Sequence, residues 1–187
     1  MLELTRGFSV PQAGRLSEQY DMDGQMFTAN VHADRIEEVL QHFICIQEDR
    51  MYFFLELPAR EIGKIDVYYI DGLTDREALV LLMRYGELLI NDGISKFGFG
   101  VHDGSAEIIR DKYNVVRLWA EDPNSYDGFF EVHQIPHVGK CITAWNTFSQ
   151  KTPGVARRIK VDGLDVYDLP EVLKDWGIYF AESREEN

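Results

Sequence analysis

Thr74-Asp75-Arg76-Glu77-Ala78-Leu79-Val80-Leu81-Leu82-Met83-Arg84-Tyr85-Gly86-Glu87-Leu88-Leu89-Ile90, with Gly93 three residues further on, decides how the rest of the chain is read. Thr74 and Glu77 stand at capping-box spacing, where the hydroxyl and the carboxylate satisfy free amides of a helix's first turn. Leu79 to Ile90 supplies a broad apolar face at helical spacing, and Gly93 is a plausible stop. Gly86 weakens the helix interior slightly. Ile65 to Ile70, rich in Val, Ile and Tyr, reads as a strand before this helix, and Ile94 to Val101 reads as one after it.

The same alternation extends upstream. Gln25 to His32 has strand character. In Ala33 to Phe43, the residues Ile36, Val39, Leu40 and Phe43 recur at helical spacing, and Asp34 is placed to cap the first turn. Met51 to Leu57 is a buried-strand pattern ended by Pro58. From residue 25 to 101 the order is β-α-β-β-α-β, which predicts a ferredoxin-like part with two helices on one face of a mostly antiparallel sheet. Asp21-Met22-Asp23-Gly24 resembles the start of a calcium loop, but the remaining ligands do not follow, so it reads as a turn before the first strand.

Downstream, Asp103-Gly104 is a turn between strands, followed by Ala106 to Ile109 and Tyr113 to Ala120. Tyr126 to Ile135 reads as helical until Pro136, and Cys141 to Phe148 is ambiguous between helix and strand. Asp162-Gly163 predicts a hairpin between Val155–Val161 and Leu164–Tyr167. A short helix over Leu169 to Trp176, closed by Gly177, precedes a last strand at Ile178 to Phe180. The polar tail Ser183 to Asn187 is expected to fray. The fold class is therefore α+β, in one domain over 1–187. A boundary, if present, falls near 121–126 and would separate 1–120 from 127–187.

Composition narrows the functional classes. Of 187 residues, 45% are hydrophobic and 27% charged, which are globular proportions. The net charge of −13 is evenly spread, with 9 acids against 4 bases in 1–50, 10 against 6 in 51–110 and 13 against 9 in 111–187. Nucleic acid and anionic membranes are disfavoured as partners, whereas a basic protein is permitted. Met1 to Arg6 lacks a basic start and an apolar core, and no apolar run is long enough to span a bilayer, so a cytoplasmic protein is expected. Cys45 and Cys141 are read as buried free thiols.

No motif carries catalysis. Glu131, His133, His137 and Cys141 are all zinc-competent ligand types, but Pro136 and Gly139 interrupt any shared helix, so loop histidines and a buried thiol are the better reading, with no metal or other cofactor. His102-Asp103 is a possible tuned base at a turn, without a partnered nucleophile. Gly98 and Gly100 alternate with Phe97 and Phe99 and lack any phosphate-loop pattern; they are read as letting a large side chain or another backbone approach the sheet closely. Tyr68, Tyr69 and Asp71 lie in one strand, and Glu121 and Asp122 in a loop. Together they are the candidate protein-binding residues, weighed against satisfied cross-strand pairs and solvated loop charge.

In size, acidity and mixed architecture, the chain resembles the small acidic α+β proteins of bacteria that include toxin-neutralising immunity proteins. The resemblance implies a non-enzymatic protein that binds a protein partner. Two other readings stay open at this point. One is a small-molecule-binding domain or enzyme using His102/Asp103 or the Glu131–Cys141 stretch; the other is a homo-oligomer formed through an edge strand.

Overall fold

The capping box at Thr74 forms: the Thr74 amide donates to Glu77 Oε2 at 2.8 Å, and the Glu77 amide donates to Thr74 Oγ1 at 3.2 Å. Helix α2 (Asp75–Asn91) follows and buries Ala78, Leu81, Leu82, Leu88 and Leu89. Helix α1 (Ile36–Cys45) buries Ile36, Val39, Leu40, Phe43 and Ile44, the stripe that the spacing predicts. Each such side chain contributes about 1.5–3 kcal/mol. Asp34 does not cap α1. The N-cap is Arg35 without a side-chain bond, and Glu37 and Glu38 offset the first-turn dipole instead.

The computed structural model describes residues 1–11 and 13–186. Ten strands follow in chain order: β1 (Phe8–Ser9), β2 (Gln19–Asp23), β3 (Met26–Asn30), β4 (Met51–Pro58), β5 (Lys64–Leu73), β6 (Lys96–Val101), β7 (Ala106–Arg110), β8 (Val115–Ala120), β9 (Val155–Ala156) and β10 (Tyr179–Glu185). β1 and β9 make a small ladder of their own. The other eight form one antiparallel sheet in the order β10-β5-β4-β6-β7-β8-β3-β2.

The fold is α+β, with α1 and α2 packed together against the sheet. Along the chain, β3-α1-β4-β5-α2-β6 has the expected order, but its packing departs from the ferredoxin-like arrangement. β5-α2-β6 is a split unit with β4 between its two strands. β3-α1-β4 instead strides over three strands, because β6 continues into the meander β6-β7-β8 and β8 takes the place beside β3. The turn from β7 to β8 is tight, with Tyr113 and Asn114 at φ 60° and 61°.

Several local expectations are corrected. Asp21 to Asp23 belong to β2, and only Gly24 and its neighbours turn. Tyr126 to Ile135 forms no α-helix, only 3₁₀ turns at Pro123–Tyr126 and Glu131–His133. Asp162-Gly163 does turn, with φ of 50° and 84°, but the hairpin is reduced to a single Val161–Leu164 bridge, and Val155–Ala156 pairs with β1. The helix at 169–176 splits into α3 (Leu169–Val172) and a 3₁₀ turn at Lys174–Trp176. The expected frayed tail is ordered: Ser183, Arg184 and Glu185 pair with Asp66, Ile65 and Lys64, while Asn187 lies outside the described residues. Cys45 is exposed; Cys141 is buried, and both are free.

The core lies between the helices and the alternate residues Phe53, Leu55, Phe97, Phe99, Ile108 and Leu118. Phe129, Phe130, Ile135, Val166 and Leu169 from the irregular segments join it. At one end of the sheet Arg110 is wholly buried. Its guanidinium donates to the carbonyls of Leu89, Asp92 (2.8 Å) and Ser95 (3.2 Å), and stands over the rings of Phe8 and Phe97 at 5.7 and 5.4 Å. The Leu89 and Asp92 carbonyls are ones that the end of α2 leaves without helical partners, and the Ser95 carbonyl belongs to the link into β6. Arg110→Met should therefore strand several buried acceptors and cost about 3 kcal/mol or more in urea unfolding. A loss below about 1 kcal/mol would refute the assigned role.

Candidate functional site

The sheet face opposite the helices carries the polar residues. Its upper part is made of two adjacent rows. In one, Tyr52 on β4, Gly100 on β6, Glu107 on β7 and Trp119 on β8 stand successively opposite one another; in the next, Tyr179 on β10 stands opposite Tyr69 on β5, and Tyr69 opposite Phe54 on β4. The Tyr52 ring lies over Gly100, where a Cβ would collide with it, and so its hydroxyl reaches Glu107 Oε2 at 2.5 Å. Phe54 lies over Gly98 in the same manner. The close approach expected of these two glycines is thus made by Tyr52 at Gly100, and at Gly98 by both the Ile108 backbone carbonyl and the Phe54 ring.

Glu107 is half-buried, and among the described residues no cation pairs with it. Burial holds its carboxyl above the ordinary range; the Tyr52 hydrogen bond pulls the other way, Glu56 adds a push upward, and the charge of Arg184, not in contact, pulls it down again. The Tyr69 ring stands edge-on to Tyr52 at 5.8 Å and 6.3 Å from Tyr179, whose hydroxyl donates to Asp71 at 2.7 Å. The result is a tyrosine platform around a carboxylate that has one neutral donor and, among the described residues, no cation in contact.

The lower part of this face sinks into a trough of about 650 Å³. Its floor is a chain of ion pairs across the strands. Glu56 pairs with Arg184 and with Lys96 (3.6 Å), and Asp111 pairs with Lys96 (3.8 Å) and Arg117 (3.3 Å). The carboxylates of Glu56 and Asp111 are each only 9% exposed. Arg117 Nε lies near Asp111 but is not aimed at it as a hydrogen bond, and the guanidinium has no hydrogen-bond partner among the described residues. One wall holds Asp21, Cys141, Thr143, Trp145 and Asn146; the other holds Ile65 and Arg184 to Glu186. Burial pushes the Cys141 thiol up to about 11, so it is a neutral part of the wall at neutral pH.

The sequence-derived candidates are only partly brought together. Tyr69 and Asp71 sit on the platform. Tyr68 points to the opposite face, packed edge-on against Phe180 at 5.7 Å. Glu121 and Asp122 follow β8, at the same end of the sheet as Asp71 but four strands away, about 19 Å. Asp122 there caps the 3₁₀ turn through the Asn124 amide at 3.1 Å. His102 is exposed, and Asp103 accepts from the Ser105 amide at 2.8 Å, which makes that pair a turn. Glu107, Tyr52, Arg117 and Arg184 were not singled out in the sequence. Only the Gly98/Gly100 pattern signalled that this face carries large side chains.

The Glu131–Cys141 stretch scatters its ligand types. Glu131 accepts from the Tyr20 hydroxyl, the His137 ring packs on Tyr20 at 4.9 Å, and the Cys141 amide donates to Asp21 at 2.9 Å. His133 joins a carboxylate–imidazole–imidazole line, with Nδ1 3.0 Å from Glu38 and Nε2 2.9 Å from His42 Nδ1. A carboxylate only accepts, so in the neutral line His42 donates to His133 and His133 donates to Glu38. Burial first, then His133, lowers the basicity of His42. Among the described residues, no group of three or more His, Cys, Asp or Glu is placed to hold a metal ion. Among the described residues, no helix is long and apolar enough to cross a membrane.

Two outcomes test the platform. Because burial raises the Glu107 pKa, the folded state binds that proton more tightly than the unfolded chain. Its stabilising contribution is present below the ordinary carboxylate pKa and is lost as pH rises through the raised value. Glu107→Gln should therefore flatten the fall in stability with rising pH across that window; an unchanged slope by denaturant titration refutes the burial assignment. Gly100→Ala should cost about 1–3 kcal/mol, and much less once Tyr52 is Ala; additive costs in that double-mutant cycle would show that the ring is not the obstacle. No protein-family model matches the chain, and neither a curated protein nor a solved structure does, so its function is argued from this face.

Proposed function

We propose that this is a non-enzymatic binding protein that engages a basic protein partner through the tyrosine platform. The observation that carries the reading is Glu107, a half-buried carboxylate among aromatic rings that no cation contacts among the described residues. A lysine or arginine side chain would supply the missing charge and meet the ring faces of Tyr52, Tyr69 and Trp119, an arrangement that attracts cations. Tyrosine and tryptophan at such a place bury large area at little cost in side-chain freedom. The net charge of −13 would steer a basic protein towards this molecule and away from nucleic acid. The resemblance in size and acidity to bacterial immunity proteins points the same way.

Affinity capture from host lysate, at low and at moderate salt, tests the reading when wild type and Glu107→Gln are run side by side. A basic protein should be retained by wild type, lost as salt rises, and held at least about thirtyfold more weakly by Glu107→Gln. Tyr69→Ala should weaken it as well. Retention that ignores both salt and Glu107, or no retention at all, sinks this function.

A further inference from the structure

The trough below the platform has a different chemistry, and nothing in the partner reading uses it. We propose that it binds a small zwitterion, an α-amino acid or short peptide, with the carboxylate on Arg117 and the ammonium group on Asp21 and Asp23. Its volume of about 650 Å³ lies within the range of small-molecule sites. The floor is fixed before any ligand arrives. Glu56 and Asp111, nine-tenths buried, hold Lys96, Arg184 and Arg117 in a cross-strand chain, so the cations need no reorganisation.

The unspent charges select the ligand. Arg184 is shared between Glu56 and Glu182 and Lys96 between Glu56 and Asp111, whereas Arg117, with its side chain 42% exposed, meets Asp111 through Nε and keeps its terminal nitrogens without a partner among the described residues. Arg117 stands opposite Thr28, and Thr28 opposite Asp21, so a single row leads from Arg117 to the acidic wall. Asp21 spends one oxygen on the Cys141 amide, and Asp23 has no ion-pair partner among the described residues. A simple anion would meet Asp21, Asp23 and Glu185 around the rim, Glu186 being paired with Lys112, and a simple cation would meet the basic floor. A molecule carrying both charges satisfies both. Trp145, 46% exposed and braced edge-on by Tyr113 at 4.9 Å and by Phe148 at 5.6 Å, offers a flat apolar wall to a side chain.

Calorimetric titration of the purified protein with free L-amino acids and diglycine tests the site, each probe being paired with its carboxyl-amidated and its N-acetylated form. At least one free zwitterion should bind saturably. Amidation and acetylation should each weaken it by about tenfold or more, as should Arg117→Gln and Asp21→Asn. Asp21→Asn keeps an oxygen for the Cys141 amide, and Arg117→Gln leaves Asp111 paired with Lys96, so thermal unfolding of both variants checks that the fold is intact. Glu107→Gln should leave the titration unchanged, which separates this site from the platform. No saturation up to about 10 mM overturns the proposal. So does binding that ignores Arg117, or binding that survives blocking of either end.

Discussion

A single buried guanidinium sets where the main elements meet. Arg110 closes the carbonyl end of α2, and in doing so fixes that helix against β7 and the start of β6. Asp92, beside it, accepts from the Ile94 and Ser95 amides with one oxygen and from Ile159 with the other. Burial lowers the Arg110 pKa to about 10, against the pull of Asp92, so the group remains charged at neutral pH. A charge in such surroundings persists only if every neighbour is placed to receive it. α2, the β6–β7 pair, the segment around Phe8 and the strand-like run at 157–159 are therefore positioned by one another through this point.

With the helices fixed to one face, the other is free to be polar, and its pattern follows from the register. β6 has no side chains at 98 and 100, so Phe54 and Tyr52 from β4 lie across it towards β7. Without the gap at Gly100, the Tyr52 hydroxyl would stop short of Glu107. The platform and the trough are thus successive rows of one sheet. Aromatic rings dominate where β6 is bare, and ion pairs dominate where Lys96 returns a long side chain to it.

Sequence disclosed this architecture unevenly. The Thr74–Glu77 box and the stripes of α1 and α2 are local, with causes a few residues apart, and they were legible. β2 was not, because Asp21 and Asp23 are poor strand formers, held extended by pairing with β3 on one side and by the Tyr20–His137 bridge and the Cys141 amide on the other. The run from 121 to 168 follows no period, because its apolar residues plug gaps in a core built elsewhere. The tail is hidden for a related reason: Tyr179 and Phe180 mark the start of β10, but its exposed continuation from Glu182 to Glu185 carries no apolar pattern. Tyr69 and Asp71 were legible as part of the candidate site. Glu107 was not, because its partner Tyr52 lies 55 residues earlier and only the sheet order brings them together.

The strand β10 also sets the order in which these surfaces can be completed. The hairpins β2-β3 and β4-β5 and the meander β6-β7-β8 join neighbours in sequence, whereas β10 joins β5 across more than a hundred residues. Contacts so distant close late, because the loop entropy must be met before the pairing stabilises anything. Until then β5 is a ten-residue open edge and Glu56 lacks Arg184, so the trough has a floor and only one wall. Glu182, Arg184 and Glu185 then place charge along the new outer edge, a device that discourages another strand from adding to the sheet.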